Sequence, residues 1–134
     1  MPAGLVTFKL VNQGMQLHHA NLVRLDEGKS LKDPGAALSK PGWARFGGPN
    51  ATEPGGAANA TVVFRPGRYA WLCLIPDPDH TPHLAKGMIR EFEVTAPAAN
   101  AELPAADISI QLSDYEFKLS KPVTAGRHTF RVRN

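Results

Sequence analysis

Apolar and polar residues alternate along most of the chain, and this period of two predicts β-strands rather than helices. Eight short runs show the pattern, and most are separated by Gly, Pro, Asn or Asp. The runs are 6–12, 19–25, 60–66, 67–75, 88–95, 107–114, 115–120 and 128–134. The pattern therefore predicts an all-β fold of short strands joined by turns.

Two segments rich in turn-forming or small residues interrupt these strands. Residues 39–58 contain five Gly and three Pro, which predicts a long loop. Residues 96–106 read "APAANAELPAA", a composition typical of a linker. Ala and Pro at these positions place a candidate boundary between residues 1–95 and residues 107–134.

Size and charge limit the classes of function. A chain of 134 residues is long enough for one hydrophobic core. Its formal net charge is +3, but Lys and Arg are scattered singly, which argues against nucleic-acid binding. The longest apolar run, 69–75, is strand-sized, so we expect no insertion into a membrane. The first residues lack the pattern of a secretion signal.

The two ends of the chain carry an internal repeat. "AGLVTFKLVN" (3–12) and "AGRHTFRVRN" (125–134) share five of ten residues at matched positions. We therefore expect 1–95 to be one domain that lacks its first strands, and 107–134 to be the opening strands of a following copy. These strands are expected to complete the sandwich of their own chain or of a partner, so a strand-swapped homodimer is one predicted assembly.

Three kinds of metal-binding side chain are concentrated near one strand end. Cys73 is the single cysteine, which excludes an internal disulfide and a zinc ribbon. Tyr69, Trp71 and Cys73 alternate onto one strand face, with the sulfur toward the interior. The next loop ends in "HLAKGM", which brings His83 and Met88, and "NQGMQLHH" supplies His18. Two imidazoles, a thiolate and a thioether are the donors of a trigonal copper site with a weak axial ligand.

These motifs, "NQGMQLH", "PGRYAWLC" and "HLAKGM", resemble those of the cupredoxins, the blue copper family. The bacterial extracytoplasmic proteins with tandem cupredoxin-like units are similar around the Cys-to-Met loop. The resemblance covers roughly 3–95 and implies a Greek-key β-sandwich, permuted or completed by the C-terminal strands. It also implies one copper ion per chain, held by His18, Cys73 and His83 as equatorial ligands and Met88 as axial ligand.

The resemblance carries expectations about function. It implies outer-sphere electron transfer with a redox partner protein, in the periplasm or elsewhere outside the cytoplasm, with any export signal upstream of Met1. Four occupied ligand positions leave none for a substrate, so we do not expect an enzyme. Three alternatives remain open: a periplasmic copper carrier, a metal-free cupredoxin-like structural or interaction module, and an enzyme domain that shares copper with another subunit.

Two features depart from the family pattern. Nine residues separate Cys73 from His83, more than in plastocyanin or azurin, and the same loop offers His80 as a rival ligand. His83 is preferred because its spacing to Met88 matches the family. His19 stands where many relatives have an acidic or amide residue. Alternation puts it on the face opposite His18, so His19 is expected to be exposed, with a supporting role at most.

Overall fold

The chain forms two compact units. A computed structural model describes residues 1–31, 43–95 and 102–134. The first unit is Met1–Ala101 and the second is Glu102–Asn134. The division falls within the predicted linker 96–106, of which 96–101 lie outside the described residues.

Strands make up nearly all the regular structure, as the period of two predicts. They are β1 Gly4–Val11, β2 Asn21–Leu25, β3 Trp43–Gly47, β4 Ala57–Phe64, β5 Gly67–Leu72, β6 Ile89–Val94, β7 Ile108–Ser113, β8 Glu116–Leu119 and β9 Phe130–Arg133. The one helical element among the described residues is a 3-10 turn at His83–Lys86. No helix in that part of the chain is long and apolar enough to cross a membrane. The all-β prediction is confirmed, and the Greek-key connection stays a prediction.

The described residues of the first unit form two antiparallel sheets. One has the strand order β3-β2-β5-β6, and the other pairs β1 with β4 over eight residue pairs. Strand β3 lies inside the segment predicted as loop. This difference arises because Trp43–Gly47 is a strand through its pairing with β2, and its sequence, WARFG, has no period of two that would mark a strand among the surrounding Gly and Pro residues.

Strand β5 is buried on both of its faces, and its alternation creates two clusters of core residues. Tyr69 and Trp71 pack with aromatic residues of β1, β4 and β6, so this cluster fills the space between the two sheets. Ala70 and Leu72 pack on the opposite face against residues of β2 and against Leu31. Full burial of one large apolar side chain contributes about 1.5–3 kcal/mol. Both faces therefore hold the strand that leads into Cys73.

The second unit is a three-stranded sheet of order β8-β7-β9, with β7–β8 antiparallel and β7–β9 parallel. Strand β9 lies within the second copy of the repeat and matches residues 8–11 of β1, yet the two strands have different partners, since β9 pairs with β7 and β1 pairs with β4. Several apolar side chains of this unit are exposed, among them Phe117, Phe130 and Val132. Completion of a sandwich by these strands, in the same chain or in a strand-swapped homodimer, stays a prediction.

A close backbone approach between Gly48 and Ala20 positions the segment before β2. A Cβ added to Gly48 would lie 2.2 Å from the carbonyl oxygen of Ala20, and the φ of Gly48 is 123°. Gly47 has nearly the same φ, 120°, but a Cβ there would meet nothing within 4 Å. A side chain at either position would strain the backbone, but only a side chain at Gly48 would also overlap a neighbouring atom.

We expect Gly48→Ala to lower the free energy of unfolding more than Gly47→Ala. Strained φ costs about 1–3 kcal/mol in both variants, and overlap with Ala20 adds about 1–3 kcal/mol in Gly48→Ala alone. Urea unfolding of the two variants measures the difference. Equal losses of stability would show that the approach to Ala20 is not constraining.

Candidate metal site

The candidate site begins where β5 ends. Cys73 follows Leu72 directly and is fully buried. Its backbone N–H donates to the carbonyl oxygen of Met88, and its carbonyl oxygen accepts the N–H of Leu84. These two bonds hold Cys73 against both ends of the segment Leu84–Met88.

The long interval between Cys73 and His83 folds into a small hairpin. The N–H of His83 donates to Ile75 O at 2.9 Å, Pro76 and Pro82 form an isolated bridge, and Asp77 N–H donates to Thr81 O at 2.9 Å. The tip therefore lies at residues 77–81, and the chain returns His83 beside Cys73. The nine residues between Cys73 and His83 thus form the hairpin that brings the two side chains together.

His18 reaches the site from a turn that Asn12 organises. Asn12 is buried, and its side-chain amide donates to Gln16 O and Thr52 O while its Oδ1 accepts the N–H of Gly14. His18 then pairs with Thr52 through two backbone hydrogen bonds. A Cβ on Gly14 would lie 2.9 Å from His18 Nε2, so the absence of a side chain there leaves room for the imidazole.

The structure brings three of the predicted ligands together. His83 Nδ1 lies 3.1 Å from His18 Nδ1 and 3.5 Å from Cys73 Sγ. One ligand atom from each residue lies within 4.8 Å of the other two. Cys73 and His83 are buried and His18 is half-buried. This His–Cys–His group could hold a metal ion.

The distances between the donor atoms suit a shared ion as well as hydrogen bonds. An ion about 2.0–2.1 Å from nitrogen and about 2.3 Å from sulfur places donor atoms about 3–4 Å apart, which matches the two short distances. Nδ1 of His83 has either one proton or one lone pair. It faces two partners, so hydrogen bonding cannot satisfy both fully. A cation at the centre accepts all three lone pairs at once.

Met88 and His80 occupy different positions relative to this group. The N–H of Met88 donates to His83 O, and its carbonyl oxygen accepts from Cys73, so its backbone adjoins both ligands. Its side chain is 37% exposed, and its role as axial ligand stays a prediction. His80 is exposed at the hairpin tip with a φ of 64° and is not one of the three clustered residues.

The expectation that His19 is simply exposed is wrong. Its side chain is half-buried, and its Nε2 accepts the backbone N–H of Leu74 at 2.8 Å. Alternation failed here because β2 begins only at Asn21, so residues 18–20 are not regular strand. The sequence offered one signal, since His19 is next to a candidate ligand.

An ionic cluster supports the outer side of the hairpin. Lys86 forms salt bridges with Asp77 and Asp79, and Gln16 Nε2 donates to Asp77 Oδ1 at 2.9 Å. The Lys86 ammonium, helped by the N–H of Thr81, lowers the pKa of Asp79 from 3.8 to about 2. Lys86 also lowers the pKa of Asp77, and the hydrogen bond to Asp77 raises the pKa of Lys86. Lys86 and Asp79 are exposed and Asp77 is half-buried, so solvent weakens the contribution of this cluster to stability.

Comparison with known proteins adds no relative to this description. No protein-family model, no curated protein and no solved structure matches the chain significantly.

The ionic cluster predicts a titration that depends on Lys86. A lowered pKa means that the stabilising contribution of Asp79 is complete above about pH 3.8 and is lost as the pH falls through about 2. We expect NMR to show the Asp79 carboxyl titrating near pH 2, and at a higher pH in Lys86→Gln, where only the hydrogen bonds from Thr81 still lower its pKa.

Glu91 is the internal control for this titration. Burial acts to raise its pKa, but hydrogen bonds from Leu31 and Ser30 and the charge of Arg68 lower it overall. Lys86 is not among these partners, so Glu91 should titrate alike in both proteins. An Asp79 midpoint that stays unchanged in Lys86→Gln contradicts the assignment.

Proposed function

We propose that the chain is a mononuclear type 1 copper protein that transfers electrons to or from a protein partner. The observation that carries the proposal is the convergence of His18 Nδ1, His83 Nδ1 and Cys73 Sγ in a largely buried group. The cupredoxin-like motifs around the same residues support it independently. His18, Cys73 and His83 are the proposed equatorial ligands, and Met88 is the proposed axial ligand.

The chemistry of the donors favours copper. Thiolate and thioether are soft ligands that suit Cu(I), and imidazole suits both Cu(I) and Cu(II). A trigonal His₂Cys set with a distant thioether is the arrangement associated with electron-transfer copper. Bound copper supplies a one-electron couple. The chain's own residues hold the donors in place and exclude solvent from the sulfur.

Burial and fixed backbone geometry suit a role without substrate chemistry. Cys73 is fully buried and His83 is 5% exposed, so solvent has little access to these donors. The backbone bonds that join Cys73 to Leu84 and Met88 limit how far the donors can move when the charge of the site changes. We therefore propose electron transfer rather than catalysis, outside the cytoplasm, as in the family that the motifs resemble.

A metal-free structural or interaction module is the second candidate. One observation favours it: the three side chains already lie within hydrogen-bonding distance through His83 Nδ1. A hydrogen bond from this atom to one of its two neighbours can stabilise a core without any ion. Copper titration separates the two candidates directly.

The experiment is a titration of purified metal-free protein with Cu(II), followed by visible absorption and electron paramagnetic resonance. We expect an intense thiolate-to-copper absorption band that saturates at one copper per chain. The band should vanish in Cys73→Ala, because its donor is the sulfur. It should be lost or strongly changed in His83→Ala.

His80→Ala is the matched control, since it removes a histidine from the same loop outside the three-residue group. Its band should equal that of the unchanged chain. Tight binding of Cu(I) without colour would instead indicate a copper carrier. Absence of binding, or binding indifferent to Cys73, would leave the metal-free module as the function.

Replacement of Met88 tests the axial position. Three equatorial donors already suit Cu(I), whereas Cu(II) gains more from a fourth, weak donor, so we expect Met88→Leu to raise the reduction potential. Each tenfold change in the relative affinity for the two oxidation states corresponds to about 59 mV. Met15→Leu is the control, because Met15 is 91% exposed. Equal potentials in the two variants, measured by redox titration, would remove Met88 from the ligand set.

A further inference from the structure

Two residues that are not proposed ligands connect the segments of His18 and Cys73. His19 follows His18, Leu74 follows Cys73, and the Leu74 N–H donates to His19 Nε2 at 2.8 Å. Each end of this hydrogen bond is therefore one residue from a proposed ligand. It links the two segments more closely than the exposed bond between Gln16 and Asp77, which lies farther from both ligands along the sequence.

His18 depends on such a link more than the other two ligands do. Cys73 and His83 belong to one hairpin that backbone hydrogen bonds close. The backbone of His18 pairs with Thr52, which fixes it to a different loop. The hydrogen bond from Leu74 to His19 joins this separate segment to the cysteine side of the site.

From this geometry we infer that His19 is a positioning residue that sets the separation between His18 and Cys73. The inference rests on the proposed function, because its consequence is the copper affinity and geometry of the site. His19 acts through its acceptor atom Nε2 and does not bind the ion. Loss of a residue that orients metal ligands commonly lowers metal affinity by about 10–100-fold.

The position of the acceptor atom allows a sharp test. The side-chain oxygen of Gln lies about as far from the backbone as Nε2 of His, whereas the oxygen of Asn corresponds to Nδ1. His19→Gln should therefore preserve the hydrogen bond from Leu74, and His19→Asn and His19→Ala should lose it. The variants are compared with the unchanged chain by Cu(II) affinity, band position and paramagnetic resonance.

We expect copper affinity to fall about 10–100-fold in the Asn and Ala variants, with a shifted band, and to stay within about threefold in the Gln variant. A second measurement needs no metal. Amide hydrogen exchange at Leu74 should accelerate in His19→Asn, while exchange at Leu84, which donates to Cys73, should not. Recovery by Gln separates placement of the acceptor from general stability.

The outcomes distinguish this inference from the proposed function. If the unchanged chain binds copper and all three variants bind it with equal affinity and the same spectrum, the positioning role is overturned and the proposed function stands. If Gln and Asn weaken binding equally, the role of Nε2 is overturned. If the unchanged chain binds no copper, both proposals fail together.

Discussion

The backbone hydrogen bonds that return the chain from His83 to Cys73 are the constraint on which the candidate site depends. Leu84 donates to Cys73 O, Cys73 donates to Met88 O, and Met88 donates to His83 O. This ladder continues the sheet edge of β5 and β6 past the strand ends. Because β5 is buried on both faces, the ladder starts from a fixed point in the core. The positions of two proposed ligands are thus set by the backbone rather than by the metal.

The third ligand is held by a different kind of interaction. Asn12 satisfies backbone groups of a turn with one buried amide, and such side-chain bonds to the backbone are the usual way to stabilise irregular segments. Breaking one of them leaves a buried polar group without its partner, which costs about 1–3 kcal/mol. The His18 segment is therefore ordered by polar contacts, whereas the Cys73 segment is ordered by burial and sheet pairing.

Local alternation predicted most of the strands, because a strand's pattern is short-range, whereas His18 and Cys73, which the structure brings together, are far apart in sequence and were named from the resemblance of their motifs. Alternation located the strands and placed Tyr69 and Trp71 on one buried face. It failed at Trp43–Gly47, where glycines and prolines on both sides gave the composition of a loop. It failed again at His19, because alternation applies only within a strand. Contacts such as Gln16 with Asp77 join residues 61 apart, and no local pattern encodes them.

The two ring nitrogens of His83 differ in what they say about the two candidate functions. Nε2 of His83 is buried and has no hydrogen-bond partner among the described residues. If Nδ1 binds an ion, the ring proton is at Nε2 and lacks an acceptor. If Nδ1 carries the proton instead, Nε2 is a buried acceptor without a donor. The free-energy cost of burying Nε2 without a partner is therefore the same with and without a metal, so it favours neither function. The two functions differ at Nδ1. A hydrogen bond at Nδ1 reaches only one of its two neighbours, His18 or Cys73, whereas a bound cation interacts with the donor atoms of all three residues.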